Sequence, residues 1–143
     1  MDFFNHLSKN SKGKTTIGIV FTNDKNQALF IKNKIDRINE EIYDIPFVKI
    51  EKMEEAEIIN EVFKKYGIKI TKILSYINEE NKLDDKCNNV LRINLLAEAN
   101  EEIKLKSLET IWESTENITK TNLITESLKK CLEIYEYNCL VNI

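Results

Sequence analysis

The sequence predicts a single α/β domain, and three observations carry that expectation. From Thr15 to Tyr76, short apolar runs alternate with helix-period stretches in the order strand, helix, strand, helix, strand. Glycine (3) and proline (1) are scarce in 143 residues, so regular elements should fill most of the chain. Charged residues supply 31% and hydrophobic residues 42%, the balance of a globular chain with one core.

The first strand rests on Ile17, Ile19, Val20 and Phe21, a near-continuous apolar run of the kind found where both faces of a sheet are covered. Asn23 or Asp24 is then placed to cap a helix, with Gln27 three residues after Asp24 as in a capping box. Ala28, Ile31, Ile35, Ile38 and Ile42 step by three and four and predict the stripe of that helix. Pro46 ends it, and Phe47, Val48 and Ile50 supply a second strand. Glu54, Glu55 and Glu57 favour the positive end of a second helix, with Ile58, Ile59, Val62, Phe63 and Tyr66 facing inward. Lys64 and Lys65 suit its negative end, and Gly67 its left-handed stop.

From Ile68 to Ile77 the pattern is extended, and the polar stretch 78–89 reads as a loop. Leu91, Ile93 and Leu95 alternate with Arg92 and Asn94, the mark of a half-buried antiparallel strand. After Ala97 the reading is helical. Asn100 caps a helix with Leu105, Leu108, Ile111 and Trp112 on its stripe, and Thr121 caps a last one with Ile124, Leu128, Cys131, Leu132 and Tyr135. The apolar end, 138–143, reads as an edge strand or a docking tail, and Phe3, Phe4 and Leu7 as one face of a short first helix.

Composition narrows the function classes. A net charge of −3, with both signs interspersed and no basic stripe, argues against direct nucleic-acid contact. No apolar run approaches the length of a membrane span, and the first residues lack a signal-peptide layout, so a cytoplasmic or nuclear protein is expected. Cys87, Cys131 and Cys139 are spaced for neither a disulfide framework nor a metal knuckle, and His6 is far from them in sequence. No metal or cofactor is expected. The stretch 8–16 looks like a phosphate loop but precedes a strand instead of following one, which rejects it; Gly13 reads as a turn. Asp84 and Asp85 read as a solvated turn, Cys131 as a core thiol and Cys139 as an exposed one.

The stretch 2–24, a short helix, a lysine-rich turn and an apolar strand ending Phe21-Thr22, resembles the entry of a thioredoxin. Pro46–Ile50, the acidic helix, and the run Val62–Tyr76 with its Lys65-Tyr66-Gly67-Ile68 turn are similar to that family's second strand, second helix and third strand. The resemblance covers roughly 2–96. It implies a thioredoxin-like three-layer fold, a central mixed sheet flanked by helices, within one domain spanning 1–143; residues 97–143 would form a helical C-terminal extension with an additional C-terminal helix. It also implies where redox chemistry would sit. The dithiol positions fall on Lys25, Asn26, Gln27 and Ala28 and the cis-proline position near Thr71, so the site would be degenerate and unable to exchange disulfides.

The expected function is therefore a redox-inactive, non-enzymatic subunit or adaptor that works through protein partners. Trp112, Tyr135, Tyr137, Leu140 and Val141 would form its docking surface. Core packing is the plainer reading of Trp112, Tyr135 and Tyr137. The alternatives are a small effector-binding, immunity or inhibitor protein, or an enzyme that uses the fold without the dithiol.

Overall fold

A computed structural model describes residues 15–34, 41–83, 89–99 and 110–141. Among the described residues the chain forms seven strands and three helices: β1 (Thr15–Phe21), β2 (Gln27–Lys34), β3 (Glu41–Asp44), β4 (Phe47–Ile50), α1 (Glu55–Tyr66), β5 (Ile70–Leu83), β6 (Asn89–Ala99), β7 (Thr110–Ser114), α2 (Thr115–Thr119) and α3 (Glu126–Val141). They make a mixed α/β fold in which two sheets are flanked by helices and the last element is a helix. The chain divides into two compact units, Met1–Ile19 with Phe47–Lys104 and Val20–Pro46 with Leu105–Ile143.

The first unit carries a four-stranded sheet in the order β4-β1-β6-β5. β4 runs antiparallel to β1, with Ile17 opposite Val48 and Gly18 opposite Phe47. Side chains alternate across a strand, so Thr15, Ile17, Val48 and Ile50 share one face, and all four are buried. α1 packs against β4 and β5 through Ile58, Val62 and Tyr66, spaced by four along one stripe. Burying Ile58 and Val62 completely contributes roughly 1.5–3 kcal/mol each. Gly67 ends the helix at φ +72°, where its N–H donates to the Phe63 carbonyl at 2.8 Å. The helix is the one the sequence predicts, except that Phe63, expected inward, is 56% exposed.

The second unit carries the sheet β3-β2-β7, antiparallel throughout. Ala28, Leu29, Phe30 and Ile31 are all buried, so both faces of β2 are covered. Helix α2 starts at Ser114, whose Oγ accepts from the Asn117 N–H at 3.1 Å. Thr125, not Thr121, receives the first turn of α3: its Oγ1 accepts from the Leu128 N–H at 3.2 Å. Leu128, Cys131 and Leu132 are the buried residues of α3, as the sequence predicts.

The largest departure lies between Asn23 and Asp44. The expected helix is two strands, β2 and β3, joined to β1 by a hairpin. Asn23 Oδ1 accepts from the N–H groups of Lys25 and Gln27, both at 3.0 Å, and Asn26 adopts φ 59°. Thr22 and Ala28 bridge across the turn, the geometry of a three-residue hairpin loop whose last residue is left-handed. The reason was present in the residues: Ala28-Leu29-Phe30-Ile31 is a continuous apolar run, which no single helical face can bury. Of the predicted stripe, Ile42 lies in β3, while Ile35 and Ile38 lie outside the described residues.

The helical extension over 97–143 also changes character. β6 continues to Ala99, and Ile111 and Trp112 belong to β7, with Trp112 opposite Leu29. The apolar end is no strand: α3 runs through Val141. The expected loop over 78–89 is largely strand, since β5 reaches Leu83 and β6 begins at Asn89. Its centre, with Asp84, Asp85 and Cys87, lies outside the described residues, as do Phe3, Phe4, His6, Leu7, Gly13, Asn100, Leu105 and Leu108. No described helix is long and apolar enough to cross a membrane.

Candidate active site

Helix α1 and the loop before it bring several charged side chains together in the first unit. Glu54, at the cap position, makes no side-chain cap bond. Glu57 serves instead. Its two oxygens accept from the backbone N–H groups of Glu51 and Lys52, each at 3.0 Å, folding the loop onto the helix's first turn. An anion there also suits the positive end of the helix dipole. Glu61 follows Glu57 by four residues, and Lys64 follows Glu61 by three with its Nζ 3.5 Å from Glu61 Oε1. That pair is exposed and contributes little to stability. Glu57, Glu61 and Lys64 thus form a charged ridge on the side of α1 away from its buried stripe.

A second group stands beside it on the sheet. Lys65 Nζ donates to the Phe47 carbonyl at 2.9 Å and lies 4.1 Å from the centre of the Phe47 ring. The Tyr66 hydroxyl donates to the same carbonyl at 2.9 Å and accepts from the Phe47 N–H at 3.1 Å. On β6, the Arg92 guanidinium carbon is 5.7 Å from the same ring centre, a cation–π distance. Phe47 is paired with Gly18 on β1, and β1 separates β4 from β6. Gly18, opposite Phe47, places no side chain beside the ring. Arg92 Nε donates to Asn94 Oδ1 at 3.1 Å, and the buried Asn94 amide donates to Asn78 Oδ1 at 2.9 Å, which holds the guanidinium in place.

The first unit offers a carboxylate, Glu61, beside Lys64, and two further cations, Lys65 and Arg92, gathered on the Phe47 ring. Such a set can bind a phosphorylated ligand and stabilise charge that develops on it. Metal-assisted phosphoryl chemistry needs carboxylates that hold the ion. Among the described residues no three of His, Cys, Asp or Glu converge closely enough to hold a metal. Glu57 and Glu61 supply two carboxylates, too few to cage a cation by themselves, whereas Mg²⁺ carried on a substrate phosphate needs only one or two.

The residues singled out from sequence fall elsewhere. Lys25 and Asn26 sit in the β1–β2 turn, and Gln27 and Ala28 open β2. Thr71 lies on β5, its hydroxyl donating to the Glu98 carbonyl at 3.2 Å. Trp112 is half-buried on β7, whereas Tyr137, Leu140 and Val141 are 64%, 69% and 56% exposed on α3. Tyr135 and Leu140 line a cavity in the second unit. Phe47, Lys65 and Arg92 were visible in sequence only as strand and helix residues. Of the three only Lys65 carried a signal, as one of the two cations in the last turn of α1.

No family model matches the chain. No curated protein matches it either. Solved structures do. A Nudix hydrolase from Nitrosomonas europaea aligns with a TM-score of 0.66 and 18% identity over 89% of this chain and 90% of its own. A MutT protein from Methanosarcina mazei Go1 aligns at 0.68 and 19% identity, over 87% and 93%. A hydrolase of ADP compounds aligns at 0.71 and 11% identity, over 92% and 75%. These likenesses overturn the thioredoxin-like reading, which the antiparallel β1–β4 pair and the hairpin at Asn23 already contradict. They also remove the ground for a redox-inactive, non-enzymatic adaptor, since the neighbours are hydrolases. The chain has the fold of the Nudix hydrolases.

Proposed function

We propose that this protein is a Nudix-type hydrolase acting on a phosphoanhydride, in the class of a nucleoside diphosphate joined to a second group. The observation that carries the reading is the whole-chain likeness to hydrolases of this fold, one of them described as acting on ADP compounds. The ridge on α1 supplies chemistry in keeping with it. Water attacks one phosphorus, its proton passes to Glu61, the bridging P–O bond breaks, and the leaving phosphate departs with the bond's electron pair. Lys64, Lys65 and Arg92 stabilise the charge that develops on the phosphoryl oxygens.

A second reading has its own support. Lys64, Lys65 and Arg92 are cations that can hold a diphosphate, and among the described residues no three-ligand metal cluster stands ready to assist its cleavage. One experiment separates the two. The protein is incubated with ADP-ribose, with and without Mg²⁺, release of AMP is followed by chromatography, and binding is measured by calorimetry. Turnover that Glu61→Gln lowers by about 10²-fold supports the hydrolase. Binding without turnover, weakened by Lys65→Ala and Arg92→Ala, supports recognition alone. Absence of both refutes the site.

A further inference from the structure

Asn94 is an amide buried to 1% exposure on β6, between the fully buried Ile93 and Leu95. Such a group is costly to bury unless both of its ends are bonded. In Asn94 both are, and the two bonds have a direction. Arginine carries only donors, so Asn94 turns its oxygen to Arg92 Nε, 3.1 Å away. Its nitrogen then faces β5, where Asn78 Oδ1 accepts from it at 2.9 Å.

The register of β5 and β6 builds this pair. Tyr76 stands opposite Leu95 and Asn78 opposite Asn94, so β5 takes two steps where β6 takes one. Without that extra residue the apolar Ile77 would face Asn94 across the ladder. Beyond the shift the pairing is regular, and Glu80 stands opposite Arg92. Glu80 brings a negative charge to that side, whereas Asn94 supplies an acceptor without a charge. The guanidinium is planar, so a bond held at Nε sets the orientation of the whole group. Arg92 itself is half-buried, its guanidinium carbon 5.7 Å from the centre of the Phe47 ring on which Lys65 also lies.

We propose that Asn94 is a positioning residue of the phosphate site: anchored on Asn78, it fixes the plane of the Arg92 guanidinium before a diphosphate arrives. The inference rests on the reading of Arg92 as a phosphate-binding cation. An arginine already ordered loses little side-chain freedom on pairing with a phosphate, and its affinity is higher for that reason. Asn94, closed to solvent, touches no substrate and acts through Arg92.

The test uses the full chain and the non-hydrolysable probe α,β-methylene-ADP. Calorimetry measures its affinity. Proton exchange at the Arg92 Nε–H, followed by nuclear magnetic resonance in the free protein, reports the bond to Asn94. The chain has two arginines, Arg37 and Arg92, so Arg92→Lys assigns the signal. Asn94→Leu should speed that exchange and weaken the probe about three- to tenfold, the cost of ordering one long side chain on binding. Asn94→Asp, which keeps an acceptor, should retain the slow exchange. Asn94→Leu combined with Arg92→Ala should bind no more weakly than Arg92→Ala alone. Asn78→Ala, at a half-buried position, serves if Asn94→Leu fails to fold, and should move both readouts in the same direction. Wild-type binding that Asn94→Leu leaves unaltered, or Nε–H exchange equally slow in both, would overturn the positioning role and leave the hydrolase reading standing. No binding by the wild type would overturn that reading, and the role of Asn94 at a phosphate with it.

Discussion

Asn26 reports on whether residues 23–34 form a hairpin or the helix that their spacing first suggests. At φ 59° its backbone is left-handed, where an alanine Cβ costs about 1 kcal/mol and glycine costs nothing sterically. In a helix the order reverses, because alanine is favoured over glycine by about 1 kcal/mol. The pair Asn26→Ala and Asn26→Gly therefore differs by roughly 2 kcal/mol between the two conformations, and the sign changes. With the hairpin, the glycine variant is the more stable by about 1 kcal/mol, worth roughly 3 °C in melting temperature for a chain of this size. Gly67 provides the internal standard. It sits at φ +72° with nothing within 4 Å of a built Cβ, so Gly67→Ala carries the conformational cost alone. Urea unfolding followed by circular dichroism, with the slope common to all variants, measures all three. An Asn26→Ala protein more stable than Asn26→Gly would refute the hairpin.

Other consequences follow from the same packing. Leu132→Ala, at a fully buried position on α3, should cost about 3 kcal/mol in urea unfolding, whereas Phe63→Ala on the exposed side of α1 should stay within about 0.5 kcal/mol. Asn23→Ala removes the acceptor for two backbone N–H groups and should cost about 1–2 kcal/mol, while Asp24→Ala, at the other candidate cap, should be close to neutral. Tyr135 makes stability depend on pH at the alkaline end. Its folded pKa, about 12, lies above the ordinary 10.0, so its contribution is complete below pH 10 and is lost as pH rises towards 12, where the unfolded chain has already released the proton. The urea midpoint of the wild type should therefore fall more steeply than that of Tyr135→Phe between those limits, and parallel curves would remove Tyr135 as the cause.

What could be read in advance depended on how many residues each signal spans. α1 was legible because acidic start, apolar stripe, basic end and terminal glycine all agree over thirteen residues. β2 was not, because a stripe at Ala28, Ile31, Ile35, Ile38 and Ile42 satisfies helical spacing while Leu29 and Phe30 break it, and a periodicity count that skips two buried residues chooses the wrong element. β7 failed for a related reason. Ile111 and Trp112 continue a helical spacing from Leu105 and Leu108, yet Trp112 is held by its strand partner Leu29, more than eighty residues away in sequence. Long-range pairing of that kind leaves no local trace.

The candidate site follows the same rule at larger separation. Phe47, Lys65 and Arg92 each had an adequate local explanation, as a strand residue, a cation at a helix end and the polar side of an alternating strand. The strand order β4-β1-β6 sets Arg92 two strands from Phe47, whose partner on β1 is Gly18, and the two side chains meet 5.7 Å apart. Their joint placement is thus a property of sheet topology, and a mistaken topology had to lose the site along with the fold. The error in function came from the same source. With a helix expected after β1, the missing dithiol was a telling absence; with a hairpin there, no thiol was ever required, and its absence says nothing about catalysis.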